Sequence, residues 1–226
     1  MEGHGPKEPF ATVFGIDIPN FVITMWAIMF ILVFVSWLGT RKMKKVPSGV
    51  QNVVEFAVEG IYNFLTGMMG ESRARAYLPL LGSFFFFILL SNYSGLIPGM
   101  GMIPGMKVPT SDLSITAALG ITTFFVTHIS GIQRKGIKYF AHFLTPVAWM
   151  LPINIIDELV RPVSLSFRLY GNIFGEETVI NKIAEMAPLI APLPMMALAL
   201  LTGAIQAFVF TLLSTVYITG ATEDHH

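Results

Sequence analysis

The 226-residue sequence contains no cysteine. That excludes disulfides, thiolate metal sites and cysteine nucleophiles. It is also poor in charge, with Asp, Glu, Lys and Arg together at 12%, about half the quarter usual in soluble domains. Fourteen basic and fourteen acidic residues cancel, so no net field draws in nucleic acid or an acidic partner. Neither an HExxH motif nor a Ser/His arrangement of an intramembrane hydrolase is present, and no two histidines have a spacing that suits haem or zinc. No internal repeat of the kind that builds secondary transporters is visible. The polar first 19 residues lack the basic start and small-residue cleavage site of a signal peptide, so the first apolar run is expected to stay as a membrane span. What is abundant is apolar: 54% of residues are hydrophobic, with 13 Met and 19 Phe, and the mean hydropathy is +0.67. Lipid is the solvent this composition suits.

A spanning helix needs about 20 apolar residues. Runs of that kind extend from about Ile18 to Leu38, Tyr77 to Ile97, Ser111 to Gly131 and Met195 to Ile218. Thr110, Ser111 or Asp112 is the expected cap of the third. Basic clusters at Arg41-Lys42-Met43-Lys44-Lys45, at Arg73 and Arg75, and at Arg134-Lys135-Gly136-Ile137-Lys138 belong on the cytoplasmic side by the positive-inside rule. The N-terminus, residues 1–17, is then outside, and the tail, 221–226, is cytoplasmic. Between Pro47 and Gly70, Val50, Val53, Val54, Ala57, Ile61, Phe64, Leu65 and Met68 recur at helical spacing, with Gln51, Glu55 and Glu59 between them. This segment is expected to form an amphipathic helix in the interface plane or docked on the bundle. The fold class is therefore an all-α membrane protein, one integral domain over 1–226, with about five crossings plus one amphipathic surface helix.

The fifth crossing is the unusual one. Residues 141–186 are largely apolar but are interrupted by Asp157, Glu158, Arg161, Arg168, Asn172, Glu176, Glu177 and Lys182. With 189–219 they predict a long tilted polar helix hairpin. At 100° per residue, Glu158, Arg161, Arg168, Asn172 and Glu176 fall within an arc of about 80°, along about 27 Å of axis. A charge at the bilayer centre costs about 2.5–3.5 kcal/mol even on the lenient insertion scale, so several in one span need partners or water. Arginine does not lose its proton in a protein, which makes Arg168 a fixed cation and a poor carrier. The glutamates can carry protons. A fixed cation between titratable acids is what an ion gate needs. A plain ladder of salt bridges would use the same residue types, and for Arg161, three residues from Glu158, that or an interfacial snorkelling role is the expectation. Gln206 and Asn172 taken alone are equally compatible with ordinary interhelical hydrogen bonds.

Two stretches resemble the hallmarks of subunit a of F-type ATP synthases: Pro162-Val-Ser-Leu-Ser-Phe-Arg168-Leu-Tyr-Gly-Asn172, and Gln206-Ala-Phe-Val-Phe-Thr-Leu-Leu-Ser-Thr-Val-Tyr217. Asn92-Tyr-Ser-Gly-Leu-Ile-Pro98 and Pro109-Thr-Ser-Asp112 are similar to that family too, and Pro152 to Asn172 resembles its cyanobacterial and chloroplast branch. The resemblance covers essentially the whole chain. It implies a non-catalytic stator subunit in a bacterial plasma membrane. Its partners would be a rotating ring of small carboxylate-bearing c subunits, the peripheral-stalk b subunits and the remaining synthase, with no cofactor. The hairpin would face the rotor, and two offset half-channels would carry protons to and from its carboxylates. Arg168 matches the essential arginine between them. Glu177 matches the outside-channel acid, Glu176 a second acid there, and Asn172 and Gln206 polar residues near the arginine. Glu158 resembles the acid of the cytoplasmic path, while Asp112, Asn92 and Arg161 are weaker carry-overs. Some members have a histidine seven residues before the glutamine. Here Ala199 stands there, so the outside path must relay through Glu176, Glu177 and water, or through another group. The alternative is a transporter or channel working alone with the same charged stripe.

Overall fold

A computed structural model describes residues 11–13, 16–19, 21–41, 43–97, 107–136, 139, 151–187 and 190–223, with side chains treated from residue 19 onward. Six long helices appear among them: α1 Phe21–Thr40, α2 Val50–Met69, α3 Glu71–Ser94, α4 Leu113–Lys135, α5 Leu151–Met186 and α6 Pro192–Thr222. The chain is the expected helical membrane protein, with two differences in detail. Ala11–Val13 (β1) and Ile16–Ile18 (β2) pair antiparallel, with Thr12 opposite Asp17. The short segment ahead of the helices thus contains a hairpin, and the first span starts at Phe21. Secondly, by length and apolar composition α1, α3, α4 and α6 are the candidate spans. α5 is long enough, but its acids and arginines lower its hydropathy. The first ten residues of the polar hairpin, 141–150, lie outside the described residues.

Each helix reflects its local sequence. α1 is apolar on every side, and only Phe21, Thr24, Ile28 and Gly39 are buried. The Arg41 guanidinium lies 4.9 Å from the Trp37 ring, a cation–π contact at a helix end suited to a membrane interface. α2 is amphipathic as expected and turns Ile61, Leu65 and Met69 into a cluster with Ala74 and Leu81 of α3 and Ile218 of α6. Gly70 has φ +78°. This left-handed conformation, easy only for glycine, lets α2 pass directly into α3. Asp112 proves to be the cap of α4: its Oδ1 accepts from Ser114 N at 3.0 Å and Ser114 Oγ at 2.6 Å. The helices overrun their expected ends by a turn in places, because lipid-flanking polar residues such as Arg73 and Arg134 remain helical.

α3 and α6 run antiparallel. Asn92 Nδ2 donates to Gly203 O at 3.0 Å, the Phe84 and Phe210 rings meet edge-on at 5.8 Å, and Arg73 lies 3.9 Å from Glu223. α4 packs on α5 and α6 through a stripe of small residues, Thr116, Gly120, Thr123, Thr127, Ser130 and Gly131, all buried. Without a hydrophobic drive between helices in lipid, such residues allow the close approach on which association depends. The central cluster joins Phe84 and Ile88 (α3), Val108, Leu165, Leu169 and Ile173 (α5), and Ala207 and Phe210 (α6).

Candidate functional site

The rotation of α5 is fixed by that cluster. Leu165 is 1% exposed and Leu169 is fully buried. Phe167, on the opposite side, is 55% exposed. Arg168 stands one residue before Leu169, about 100° around the helix, and is exposed at the margin of the packed face. The polar arc is therefore not uniformly inward: Leu165 in its middle is core, and Arg168 at its edge faces out. Arg168 makes no ion pair or hydrogen bond among the described residues.

Two contacts set the register of α5 against α6. Thr202 Oγ1 donates to Glu176 Oε1 at 2.5 Å, and the Arg161 guanidinium lies 5.5 Å from the Tyr217 ring. An antiparallel pair with these crossings brings Gln206 level with Asn172 and Phe210 level with Arg168. Along the axis Glu176 stands about 12 Å to one side of Arg168 and Glu158 about 15 Å to the other.

On the Glu176 side, Asn172 stands one turn away on the same helix face. Glu177 Oε2 and Gln206 Nε2 are buried with no hydrogen-bond partner among the described residues. Buried polar atoms left so are costly unless water reaches them. Asn92 accepts from Thr110 Oγ1 at 2.8 Å while holding Gly203, which ties α3, the 3-10 turn Pro109–Ser111 and α6 together behind this region. Ala199 is buried. Thr202, one turn along, supplies the contact to Glu176.

The other side is the basic end, shared by Arg73, Arg75, Arg134 and Lys135. There Glu158 Oε2 accepts from Arg161 at 2.9 Å, and Asp157 lies 3.7 Å from the same guanidinium. The expected Glu158–Arg161 pair is thus formed. Glu158 Oε1 is 3.8 Å from His128 Nδ1. Thr123, Phe124, Thr127, Glu158, Arg161, Pro162 and Tyr217 line a narrow cleft beside this cluster. Pro162 has no N–H to give the Glu158 carbonyl four residues back.

From sequence, Thr202 and Tyr139 are given no role, and His128 reads as a packed or interfacial histidine rather than a ligand. Thr202 lies four residues before the motif that starts at Gln206, and His128 meets Glu158 only through tertiary packing. Asp112 sits at a helix cap and Asn92 at a helix junction, so both do structural work here. No group of three His, Cys, Asp or Glu able to hold a metal occurs among the described residues.

These features define a multi-pass helical membrane protein with an exposed arginine, unpaired among the described residues, between two sets of acids. The family of the ATP synthase A chain matches residues 22–219. ATP synthase subunit a of Moorella thermoacetica is 44% identical over 211 residues, covering 93% of this chain and 94% of that one. Subunit a of Trichlorobacter lovleyi is 42% identical over 211 residues (92% and 89%), and subunit a 3 of Pelobacter propionicus is 45% identical over 205 (89% and 86%). The chain belongs to the ATP synthase subunit a family, the membrane sector of bacterial F-type ATP synthases.

Proposed function

We propose that this chain is the non-catalytic stator that couples proton flow to rotation of a ring of carboxylate-bearing c subunits. α5 crosses the membrane as a fifth span, tilted because its 36 residues exceed the roughly 20 that a hydrocarbon core requires. The N-terminus lies outside, the basic end faces the cytoplasm, and peripheral-stalk b subunits hold the single membrane domain still. The exposed face of α5 around Phe167 and Arg168 meets the ring.

The observation that carries this reading is Arg168 itself: a permanent cation, exposed, and unpaired among the described residues. A charge of that kind in lipid needs a counter-ion, and a passing carboxylate on another subunit supplies one. A proton from outside travels by Glu177, Glu176, Asn172, Gln206 and the water that their unpaired atoms call for, and neutralises a ring carboxylate. That carboxylate then turns into lipid. On completing its circuit it releases its proton toward Glu158. Arg168 favours the ionised carboxylate and repels a proton moving straight between the two paths. The drive is about 2.3 kcal/mol per charge per 100 mV.

The experiment is Arg168→Ala in the whole synthase reconstituted in vesicles. ATP synthesis driven by an imposed proton-motive force should vanish while ATP hydrolysis by the soluble sector persists. Retained synthesis overturns the assignment.

A further inference from the structure

We infer that His128, held between Tyr139 and Glu158, is the titrating group of the basic-end half-channel, with Glu158 the fixed carboxylate that positions and balances it. This deepens the proposed function and rests on it.

The cluster divides its labour by chemistry. Glu158 spends one oxygen on Arg161 at 2.9 Å. A guanidinium keeps its charge at every relevant pH, and the short contact is a charge-assisted hydrogen bond. That ion pair holds the Glu158 carboxylate in place beside α4. His128 is different. Among the described residues of this cluster its ring is the side chain whose ordinary range lies near neutrality, and its Nδ1 faces both the Glu158 carboxylate at 3.8 Å and the Tyr139 hydroxyl at 3.1 Å. The described ionisable groups around it are Tyr139, Glu158 and Arg161, with Asp157 on the far side of Arg161 and Tyr217 against it. Among these described groups two acids face one arginine, and a proton on His128 balances them.

The fold goes to some length to deliver Tyr139 there. Gly136 ends α4 at φ +59°, and Tyr139 N donates back to Gly136 O at 3.1 Å. The phenol then lies on Gly131, where an added Cβ would fall within 2.9 Å of the ring carbon Cζ. Burial first, then the Glu158 charge, pushes the Tyr139 phenol up to about 12. It therefore keeps its proton and can donate to neutral His128. When a proton arrives, an N–H bond forms at Nδ1, and the Tyr139 O–H turns away so that its oxygen accepts. The imidazolium faces Glu158. On release that N–H bond breaks and the proton passes to water. Thr127 Oγ1, buried in the adjoining cleft without a partner among the described residues, is a ready anchor for such a water.

The test is ATP-driven proton pumping by the whole synthase in vesicles, with pH varied on the soluble-sector side from about 5.5 to 8.5, a range centred near the ordinary histidine value. Each rate is divided by uncoupled hydrolysis at the same pH. Wild type should lose pumping as pH rises through an inflection. His128→Gln should flatten the profile to within about twofold across that range. Glu158→Gln, which removes the balancing carboxylate, should move the inflection to lower pH. A His128→Gln profile that keeps the wild-type inflection overturns the inference. Should that variant fail to assemble, an unmoved inflection in Glu158→Gln does the same. A wild-type complex that pumps no protons at all would instead sink the proposed function.

Discussion

Gly120 fixes how closely α4 approaches α5, and enlarging it should move the helix that carries Arg168. A Cβ at Gly120 would stand 2.8 Å from the Pro162 carbonyl oxygen and closer still to Ser166 Oγ. The Ser166 hydroxyl, which donates to Pro162 O at 2.7 Å, can rotate away. The carbonyl is backbone and cannot. Against the 3.4 Å at which ordinary contact begins, the shortfall is about 0.6 Å, and α5 as a whole must yield it. Overpacking of this kind costs typically about 1–3 kcal/mol. Six residues separate Pro162 from Arg168, less than two turns of one helix, so the shift carries to the arginine. Misplacement of a working group by 1 Å can cost about 10²-fold. Gly120→Ala in the reconstituted synthase should therefore lower coupled ATP synthesis by between about tenfold and a hundredfold, with an assembled but less thermostable complex. Adding Ser166→Ala should restore only part of the loss, since Pro162 O remains. Wild-type synthesis and thermostability in Gly120→Ala would refute this packing as the determinant of the arginine's position.

Thr202→Val removes the hydroxyl that donates to Glu176, and interhelical hydrogen bonds in membranes average about 0.6 kcal/mol. Proton uptake from the Glu176 side, followed with a membrane-potential assay, should slow by a few-fold, and Glu176→Gln with Glu177→Gln should slow it more. Asp112→Ala strips the cap of α4, and should cost about 0.5–2 kcal/mol of stability in thermal denaturation of the complex while leaving proton flux per assembled complex unchanged.

The parts of this fold that follow from local chemistry were legible in the sequence. Continuous apolar runs marked α1, α3, α4 and α6, and the amphipathic spacing around Ile61 and Leu65 marked α2. The Glu158–Arg161 pair followed from i,i+3 spacing. The β1–β2 hairpin was not foreseen, because three-residue strands carry too little periodicity to register. Arg168 was rightly put on one arc with Glu158 and Glu176, yet the arc's orientation depends on Leu165 and Leu169 entering the core, which is a property of α3 and α6 as much as of α5. Helix ends were set too short, since a hydropathy window stops at the first arginine while the backbone continues through Arg73 and Arg134. His128 looked like an ordinary packed histidine. Thirty residues of chain separate it from Glu158, and only the docking of α4 on α5 brings them together.

The most direct measurement is proton flux through the reconstituted synthase with rotation blocked, by locking the soluble sector, in wild type and Arg168→Gln. If Arg168 is the barrier between the two paths, the locked wild-type complex holds an imposed proton gradient and the locked variant dissipates it. A locked Arg168→Gln complex as tight as wild type would contradict the barrier role.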